Sequence, residues 1–356
     1  MTEPTRRDLL RTGLAAAASS LASRIAVARG SALLGAAAET AAARAPAASA
    51  PREQLLFDFG WKFFMGNDSN PLRDLDFGKG LQDFSKTSNF EFATAKFDDS
   101  RWRTLNLPHD WAVELPFVRD EELQSHGYKP LGRNYPQHCV GWYRRTFEIP
   151  STDTGRRIVV EFDGIFRSAL VFVNGCFIGR NDNGYAPFRL DLTDFLTYGG
   201  KNFLVVRVDA RFGEGWFYEG AGIYRHVWLT KTDSLHLGAW ESYVRTDVRH
   251  DSAVLTLGTL VQNQGTQSER PEVRWEILDA EGKIIATANA EPQAIEPGGT
   301  AAFTATASLP APTLWSPDTP HLYGDLLLIC HVLSAVKPEL CSNLFCRLTL
   351  CKLMAH

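Results

Sequence analysis

The sequence predicts an all-β protein made of two consecutive sandwiches, a jelly roll followed by an immunoglobulin-like domain. Short runs rich in β-branched and aromatic residues recur between residues 55 and 323, and Gly, Asn and Asp separate them. No helical periodicity alternates with these runs, which disfavours a parallel sheet and favours antiparallel sheets packed face to face. A chain of 356 residues, 44% of them hydrophobic, is long enough for two such domains.

The first sandwich is assigned to residues 51–232. Its clearest strands are predicted at 157–162, 169–173, 176–179 and 202–209. Asn174 and Gly175 separate two of these strands, and the pair is a strong hairpin signal because a type I′ turn requires positive φ at both central residues. The connection over 114–140 is too long for a structural turn, so we expect it to be functional or mobile.

The second sandwich is assigned to residues 233–323. Its strands are predicted at 243–248, 253–261, 272–278, 283–288 and 300–309, with turns at 262–265 and 279–282. Trp275 lies in a run that alternates apolar and charged residues, so it is predicted to occupy the core of this sandwich.

Residues 215–222, with the sequence GWFYEGAG, combine three glycines with large aromatics, which suits neither a helix nor a plain strand. We predict a loop here, followed by a strand on which Ile223, Arg225, Val227 and Leu229 share one face. Flat aromatic faces beside a carboxylate are suited to a sugar, whose C–H face stacks on rings while its hydroxyls bond to acids. Burial of the same aromatics in the core is the alternative.

The N-terminal residues 1–50 are interpreted as an export signal followed by an Ala-rich linker. Residues 5–11 contain Arg6 and Arg7 followed by leucines, and a weakly apolar, Ala-rich stretch covers 13–28, a pattern typical of twin-arginine signals. Cleavage is expected after Ala28 or elsewhere before Pro51. The predicted location is therefore periplasmic or extracellular.

Charge and hydropathy disfavour two classes of partner. The formal net charge of −4 provides no basic footprint for nucleic acid. No run of eighteen uninterrupted apolar residues occurs, so we expect no permanent membrane span after export. Neither a cofactor nor a metal is predicted.

Seven motifs occur in an order that resembles the N-terminal half of glycoside hydrolase family 2, the family of β-galactosidases, β-glucuronidases and β-mannosidases. The resemblance covers residues 57–323. The motifs are FDDSRW at 97–102, LPHDW at 107–111, GWYRRTF at 141–147, VNG at 173–175, GYAPF at 184–188, GAGIYR at 220–225 and LWSPD at 314–318 followed by Leu322 and Tyr323.

The resemblance implies a galactose-binding-like jelly roll, an immunoglobulin-like sandwich and then a catalytic (β/α)₈ barrel that holds two glutamates. A barrel of this kind needs about 250 residues, whereas residues 324–356 are all that follow Tyr323. Retaining hydrolysis requires two closely spaced carboxyl groups, which the family places on the barrel. No residue here inherits a catalytic role, and we expect no hydrolysis of nitrophenyl β-glycosides by this chain.

The same resemblance implies that loops of the jelly roll help to form a sugar pocket. The candidate substrate-binding residues are His109, Asp110, Trp111, Trp216, Tyr218 and Glu219. Asp110 would bond sugar hydroxyls through charge-assisted hydrogen bonds; capping of a turn after Pro108 is the alternative. His109 is expected to make a structural hydrogen bond rather than to relay a proton. Arg225 is expected to tie its loop to the sheet through an ion pair.

The segment 324–356 is atypical for the family and is interpreted as a frameshifted or truncated reading of the gene. Four of the six cysteines lie in it, at positions 330, 341, 346 and 351. A zinc site is the alternative, although four residues separate Cys341 from Cys346 and Cys346 from Cys351, unlike the close pairs of zinc ribbons. The other two, Cys139 and Cys176, are expected to be isolated thiols.

Two functions compete. The first is the non-catalytic, sugar-binding part of a β-galactosidase-type hydrolase that acts on a β-linked glycan, with the catalytic barrel as its natural partner. The second is a stand-alone carbohydrate-binding or adhesion module. A barrel coded downstream of the Tyr323 codon would favour the first, and its absence the second. In either case, faces that the family buries against the barrel should leave an exposed apolar patch.

Overall fold

The fold was established from a computed structural model that describes residues 50–66, 91–119, 127–131, 135–211, 220–331 and 344–351. These residues form two antiparallel β-sandwiches, so the predicted all-β fold is confirmed. Helical structure in the described chain is short. It comprises helices α1 (Trp111–Glu114) and α2 (Pro136–Cys139) and 3₁₀ turns at Glu91–Ala93, Ser151–Asp153 and Thr193–Phe195. Within the described ranges, no helix has the length and apolar character needed to cross a bilayer.

The first sandwich packs a four-stranded sheet against a six-stranded sheet. The four-stranded sheet has the order β1 (Arg52–Leu56), β12 (Val227–Thr232), β7 (Arg157–Phe162) and β10 (Phe188–Asp191). The six-stranded sheet has the order β3 (Arg103–Leu105), β2 (Trp61–Met65), β6 (Val140–Ile149), β11 (Gly200–Asp209), β8 (Ala169–Val173) and β9 (Cys176–Asn181). A small hairpin pairs β4 (Val118–Arg119) with β5 (Gly127–Tyr128), inside the long connection that the sequence singled out.

Strand periodicity decides which side chains form the core of the first sandwich. On β7, Ile158, Val160 and Phe162 are buried between the two sheets, while Arg157 and Glu161 lie on the outer face. Successive side chains of a strand point to opposite faces, so an alternating sequence produces one apolar and one polar surface. The outer face of the four-stranded sheet is therefore polar.

The outer face of the six-stranded sheet is instead covered by the segment after residue 91. Phe92 and Trp102 from this segment pack on Trp142 and Phe172 in a second buried cluster. Arg144 of β6 binds this segment to the sheet. Its Nε lies 2.9 Å from a carboxylate oxygen of Asp99, and its Nη1 donates to the backbone carbonyls of Phe92 and Thr94. The central strands of this sheet are thus buried on both faces, which explains the continuous apolar sequence of β8.

The hairpin predicted at Asn174 and Gly175 is present. Both residues have positive φ, 48° and 84°, as a type I′ turn requires. The buried side chain of Asn202 supports the turn by accepting a hydrogen bond from the Asn174 amide at 2.7 Å.

The predicted strand after Gly222 begins later than expected. Strand β12 begins at Val227, and Arg225 is exposed instead of sharing the buried face of Ile223, Val227 and Leu229. The segment before the glycine-rich motif lies outside the described residues, so the predicted ion pair between Arg225 and the sheet stays a prediction.

The second sandwich follows from Leu235. One sheet contains β13 (Leu235–Leu237), β15 (Ser252–Asn263), β14 (Tyr243–Arg249) and β18 (Thr300–Pro310). The other has the order β17 (Ile284–Asn289), β16 (Pro271–Leu278), β19 (Tyr323–His331) and β20 (Leu344–Cys351). Trp275 is fully buried at the centre of this core, as predicted.

The predicted end of this sandwich at Tyr323 falls too early. Strand β19 pairs with β16 over eight residues, and Leu327 and Ile329 are buried in the core. The first residues of the supposedly atypical segment therefore complete the sheet. Cys341 and Cys346 carry no described side chain, and the predicted zinc alternative lies outside the described residues.

The two upstream cysteines form no disulfide in the described chain. Cys139 is buried and its thiol donates to the carbonyl of Tyr135 at 3.0 Å, whereas Cys176 is exposed on β9. The expectation of two thiols is confirmed.

Candidate functional site

Three of the six predicted sugar-binding residues lie in the described chain. His109, Asp110 and Trp111 form the end of one loop and the start of helix α1. Trp216, Tyr218 and Glu219 lie outside the described residues, and their predicted contacts stay predictions.

The loop at 107–111 is joined to the GAGIYR segment by backbone hydrogen bonds. The His109 N–H donates to the carbonyl of Ile223 at 2.8 Å, and the Trp111 N–H donates to the carbonyl of Ala221 at 2.9 Å. Gly222 in turn exchanges two hydrogen bonds with Phe166 on its other side, at 2.9 and 2.8 Å. Two motifs that are more than a hundred residues apart in sequence thus form one short sheet-like unit.

Asp110 locks this unit through its carboxylate. Its Oδ1 accepts hydrogen bonds from the N–H of Ala112 at 2.9 Å and from the N–H of Ala221 at 2.8 Å. The first contact is an N-cap that satisfies an otherwise unpaired donor of helix α1, and the second reaches across to the GAGIYR segment. The capping role considered as the alternative for Asp110 is therefore present, and the residue is half-buried.

Trp111 is fully buried, and its indole N–H donates to the carbonyl of His138 at 2.8 Å. The ring packs near Phe63 and Tyr143 in the core of the first sandwich. No face of this indole is left for stacking on a sugar, so its side chain serves packing and not the predicted contact.

His109 is held by partners on both ring nitrogens. Its Nδ1 lies 2.7 Å from the hydroxyl of Tyr143, and its Nε2 lies 2.7 Å from Nη2 of Arg103 and 3.1 Å from a carboxylate oxygen of Glu114. The side chain is 9% exposed. This arrangement is the structural hydrogen bonding expected from the sequence, and it leaves little of the ring for a ligand.

The electrostatics around His109 favour a neutral ring. Burial lowers the pKa of His109, although the hydrogen bond to Glu114 opposes this effect. The pKa of Glu114 is lowered chiefly by its hydrogen bonds from Arg103, which meets it in a bidentate pair at 2.9 and 2.7 Å. Burial raises the pKa of Tyr143 well above its ordinary value. We therefore expect the Tyr143 hydroxyl and the His109 imidazole to stay uncharged at neutral pH.

Helix α1 ends at an exposed apolar patch formed by Val113 and Phe117, which are 65% and 70% exposed. Lys129 donates to the carbonyls of Val113 and Leu115 at 3.2 and 2.6 Å, and its ammonium lies 4.2 Å from the ring centre of Phe117. The patch is therefore held in place, and it borders the loop that carries Asp110.

The sequence did not predict that Arg103, Glu114 and Tyr143 would meet at His109. Tyr143 belongs to the motif GWYRRTF, which gave no indication of its partner. The i to i+11 pairing of Arg103 with Glu114 follows no helical or strand spacing, so no local signal could have found it. In the described chain, no group of three or more His, Cys, Asp or Glu side chains is placed to hold a metal ion.

Comparison with known families gives two consecutive matches. Residues 95–233 match the model of the sugar binding domain of glycosyl hydrolases family 2, and residues 240–328 match a second model, described as glycosyl hydrolases family 2. The junction between the matches coincides with the junction between the two sandwiches.

Individual relatives are similar over most of this chain. A β-galactosidase of Bacteroides ovatus, BoGH2A, is 37% identical over 276 residues, which cover 77% of this chain and 29% of that protein. A β-glucuronidase of Formosa agariphila is 29% identical over 303 residues, or 79% of this chain and 27% of that protein. The chain thus spans less than a third of the length of these curated relatives.

Solved structures agree with the fold. A glycosyl hydrolase family 2 member from Bacteroides cellulosilyticus superposes with a TM-score of 0.63 at 28% identity, covering 78% of this chain and 34% of that one. A β-glycosidase from Bacteroides vulgatus gives a TM-score of 0.63 at 27% identity, with 83% and 33% covered.

Gly222 is required by the close approach of the two motifs. A Cβ at this position would lie 2.4 Å from the Tyr143 hydroxyl and 2.6 Å from the carbonyl oxygen of His109, and its φ is +125°. We expect Gly222→Ala to lower the free energy of unfolding by about 3 kcal/mol or more, since overpacking and backbone strain add. Urea unfolding measures the change.

Gly282→Ala is the matched control, because its φ is +81° but nothing lies within 4 Å of the added Cβ. It should cost only the strain of the left-handed conformation, about 1–2 kcal/mol. Equal losses in the two variants would contradict the proposed clash at Gly222.

The buried His109 should make stability depend on pH. Because its pKa in the folded state lies below the unfolded value, the unfolded state binds more protons as the pH falls below about 6.5, and the free energy of unfolding decreases. We expect His109→Gln to reduce this decrease between about pH 7 and about pH 5. Part of it should remain, since burial also lowers the pKa of His236.

Unfolding in urea at several pH values gives the slope. His250→Gln replaces a side chain that is 95% exposed and serves as the control, with a slope equal to that of the unmodified chain. If His109→Gln leaves the dependence of the free energy of unfolding on pH unchanged, the pKa of His109 is the same in the folded and the unfolded state.

Proposed function

Because this chain belongs to glycoside hydrolase family 2 and carries its N-terminal sugar-binding and immunoglobulin-like domains, we propose that it binds the sugar of a β-galactoside without itself cleaving the bond. The chain is the non-catalytic N-terminal portion of such a glycosidase. Its task in our proposal is to supply one wall of the sugar pocket and to fix the position of sugar hydroxyls.

The observation that carries the proposal is the position of the Asp110 carboxylate. Two backbone N–H groups hold its Oδ1, which fixes the orientation of the carboxylate before any ligand arrives. A carboxylate oriented in this way can accept two hydrogen bonds from neighbouring sugar hydroxyls at little entropic cost. Charged acceptors form hydrogen bonds about twice as strong as neutral ones, so Asp110 would contribute more than an uncharged amide.

The choice of a galactoside rests on the relatives. The relative with 37% identity is a β-galactosidase, and the β-glucuronidase reaches 29%. A glucuronide carries a carboxylate that Asp110 would repel at short range. A neutral sugar is therefore the better fit to this loop.

The apolar patch of Val113 and Phe117 is proposed to contact the remainder of a longer glycosidase. It borders the Asp110 loop, and Lys129 holds it in a fixed position. Burial of two exposed side chains of this size would favour docking by a few kcal/mol, at about 25 cal/mol per Å² of apolar surface.

Asp110→Asn should weaken binding of methyl β-galactoside about tenfold, or about 1.4 kcal/mol, while leaving the fold intact. The amide oxygen of Asn can still accept from Ala112 and Ala221, so only the charge is lost. Isothermal titration calorimetry measures the affinity, and thermal unfolding checks the fold. The same samples should release no nitrophenol from nitrophenyl β-galactoside.

Asp251→Asn is the control, since its side chain is 88% exposed on the second sandwich. It should bind the sugar as tightly as the unmodified chain. Equal affinities for the unmodified chain and Asp110→Asn would remove Asp110 from the proposed site.

We further propose that residues 1–50 direct export through the twin-arginine route, on the basis of Arg6, Arg7 and the Ala-rich stretch after them. A bacterial host expressing the chain should contain it in the periplasmic fraction. Replacing both arginines by lysine should retain it inside the cell, because the route requires the arginine pair. Equal export of both forms would point to a different signal.

A further inference from the structure

A cleft of about 320 Å³ lies between the outer face of the four-stranded sheet and the start of the second sandwich. It shares no residue with the loop that contains Asp110. Its size is at the lower end of the range for small-molecule sites, about 300–1,000 Å³. The lining includes Arg157, Arg189, Thr230, His236, Trp240 and Gln262.

Strand register explains why polar groups meet here. On β12 and β7, Thr232 is paired with Arg157 and Thr230 with Val159, so Thr230 and Arg157 are diagonal neighbours on the outer face. Arg189 on β10 is opposite Glu161 on the same face. The alternation that buries apolar residues between the two sheets therefore places threonine and arginine side chains in the cleft.

Two buried polar atoms of the cleft have no hydrogen-bond partner in the described chain. Thr230 is 1% exposed, and its hydroxyl oxygen is unpaired. The buried Nε of Arg157 likewise has no acceptor. Native proteins seldom leave buried polar atoms unpaired, so these two atoms call for a partner that the described chain does not supply. A ligand at this point has to offer both an acceptor for Arg157 and a hydroxyl or oxygen for Thr230.

Arginine side chains make up most of the charged lining of the cleft. Arg52, Arg157 and Arg189 line it, against a single acidic side chain, Asp191. Arg157 is paired with Asp191, and the Nε of Arg189 lies 3.2 Å from a carboxylate oxygen of Glu161, so both guanidinium groups are oriented. Guanidinium groups held in this way bind carboxylates and sulfates in a planar, bidentate manner.

Trp240 provides an aromatic platform at the edge of the cleft. Its side chain is 52% exposed, and the guanidinium of Arg189 lies 5.8 Å from the ring centre. Its φ is +60°, a conformation that is rare and costly for a bulky residue. An exposed indole held in such a conformation is suited to stacking on the C–H face of a sugar.

His236 adds a neutral acceptor. Its Nδ1 is within 3.1 Å of the carbonyl of Asp233 and 3.2 Å of that of Ser234, which places the ring proton on Nδ1 and leaves Nε2 as an acceptor. Burial lowers the pKa of His236, the hydrogen bonds to the carbonyls of Ser234 and Asp233 oppose this effect, and the nearby Arg157 and Arg189 add to the lowering. The acceptor therefore persists at neutral pH.

We propose that this cleft binds an acidic sugar residue, a uronic acid or a sulfated hexose, within an oligosaccharide. The carboxylate or sulfate contacts Arg157, a ring hydroxyl contacts Thr230, and the sugar ring stacks on Trp240. A water-filled joint between two domains would also be polar, but it requires neither an exposed Trp240 in a left-handed conformation nor guanidinium groups oriented by ion pairs. The site would hold a second part of a glycan chain and so select acidic glycans.

Calorimetric titration of the full chain tests the proposal with three probes: a trimer of galacturonic acid, a sulfated galactose disaccharide and neutral galactotriose. At low salt, at least one acidic probe should bind ten times more tightly than galactotriose, and the difference should shrink as salt rises. The better acidic probe identifies the group that the cleft prefers. No binding by either acidic probe, or equal binding by all three probes, would overturn the proposal.

Thr230→Val is the most informative variant, because valine has the same shape but lacks the unpaired hydroxyl. It should weaken the acidic probe about fivefold, while the unfolding temperature stays equal or rises as an unsatisfied polar group is removed. Arg157→Gln should abolish the preference for acidic probes, and Trp240→Ala should weaken the binding of both acidic probes. Arg249→Gln, at an exposed arginine of the second sandwich, is the matched control and should change nothing.

If Thr230→Val and Arg157→Gln bind the acidic probe as tightly as the unmodified chain does, the cleft holds ordered water only. If the acidic probe no longer binds to Asp110→Asn but still binds to the variants of Thr230, Arg157 and Trp240, its site is the Asp110 loop and not the cleft. If Asp110→Asn loses affinity for methyl β-galactoside but keeps its affinity for the acidic probe, the two ligands bind at different sites.

Discussion

The backbone hydrogen bonds between residues 109–111 and residues 221–223 are the constraint on which the candidate site depends. They bring together two segments that are distant in sequence, and the Asp110 carboxylate closes the junction by bonding to both. Gly222 is the point where the segments approach most closely, because only a residue without a side chain leaves room for the Tyr143 hydroxyl. The geometry of the loop is thus set by the protein itself, which would lower the entropic cost of the proposed sugar binding.

The two faces of the four-stranded sheet have different roles. The inner face is apolar and packs on the six-stranded sheet, while the outer face presents arginine and threonine side chains to the second sandwich. A strand can serve both roles because its side chains alternate. The polar face does not close completely on the second sandwich, and buried groups such as the Thr230 hydroxyl remain unpaired there.

Predictions from the sequence succeeded where the signal was local. Strands β7 and β8 have the predicted bounds, and the Asn174 and Gly175 turn has the predicted backbone conformation. Strand β12 was placed too early because the backbone groups of residues 221–223 bond to the His109 loop and to Phe166 instead of extending the sheet. The end of the second sandwich was placed too early. Strand β19 has a nearly continuous apolar sequence, as expected of a strand between two neighbours, and this sequence was interpreted as atypical for the family.

Periodicity, turn dipeptides and ordered motifs therefore determined the fold class, the two sandwiches, the family and the loop that carries Asp110. The tertiary structure alone decided that Trp111 is buried, that His109 is bound by Arg103, Glu114 and Tyr143, and that Thr230 and Arg157 share a cleft with Trp240. The physical reason is that alternation fixes the face of a strand on which a side chain lies, whereas its neighbours on that face come from strands far away in sequence. Those neighbours decide whether a polar group is satisfied, exposed or left for a ligand.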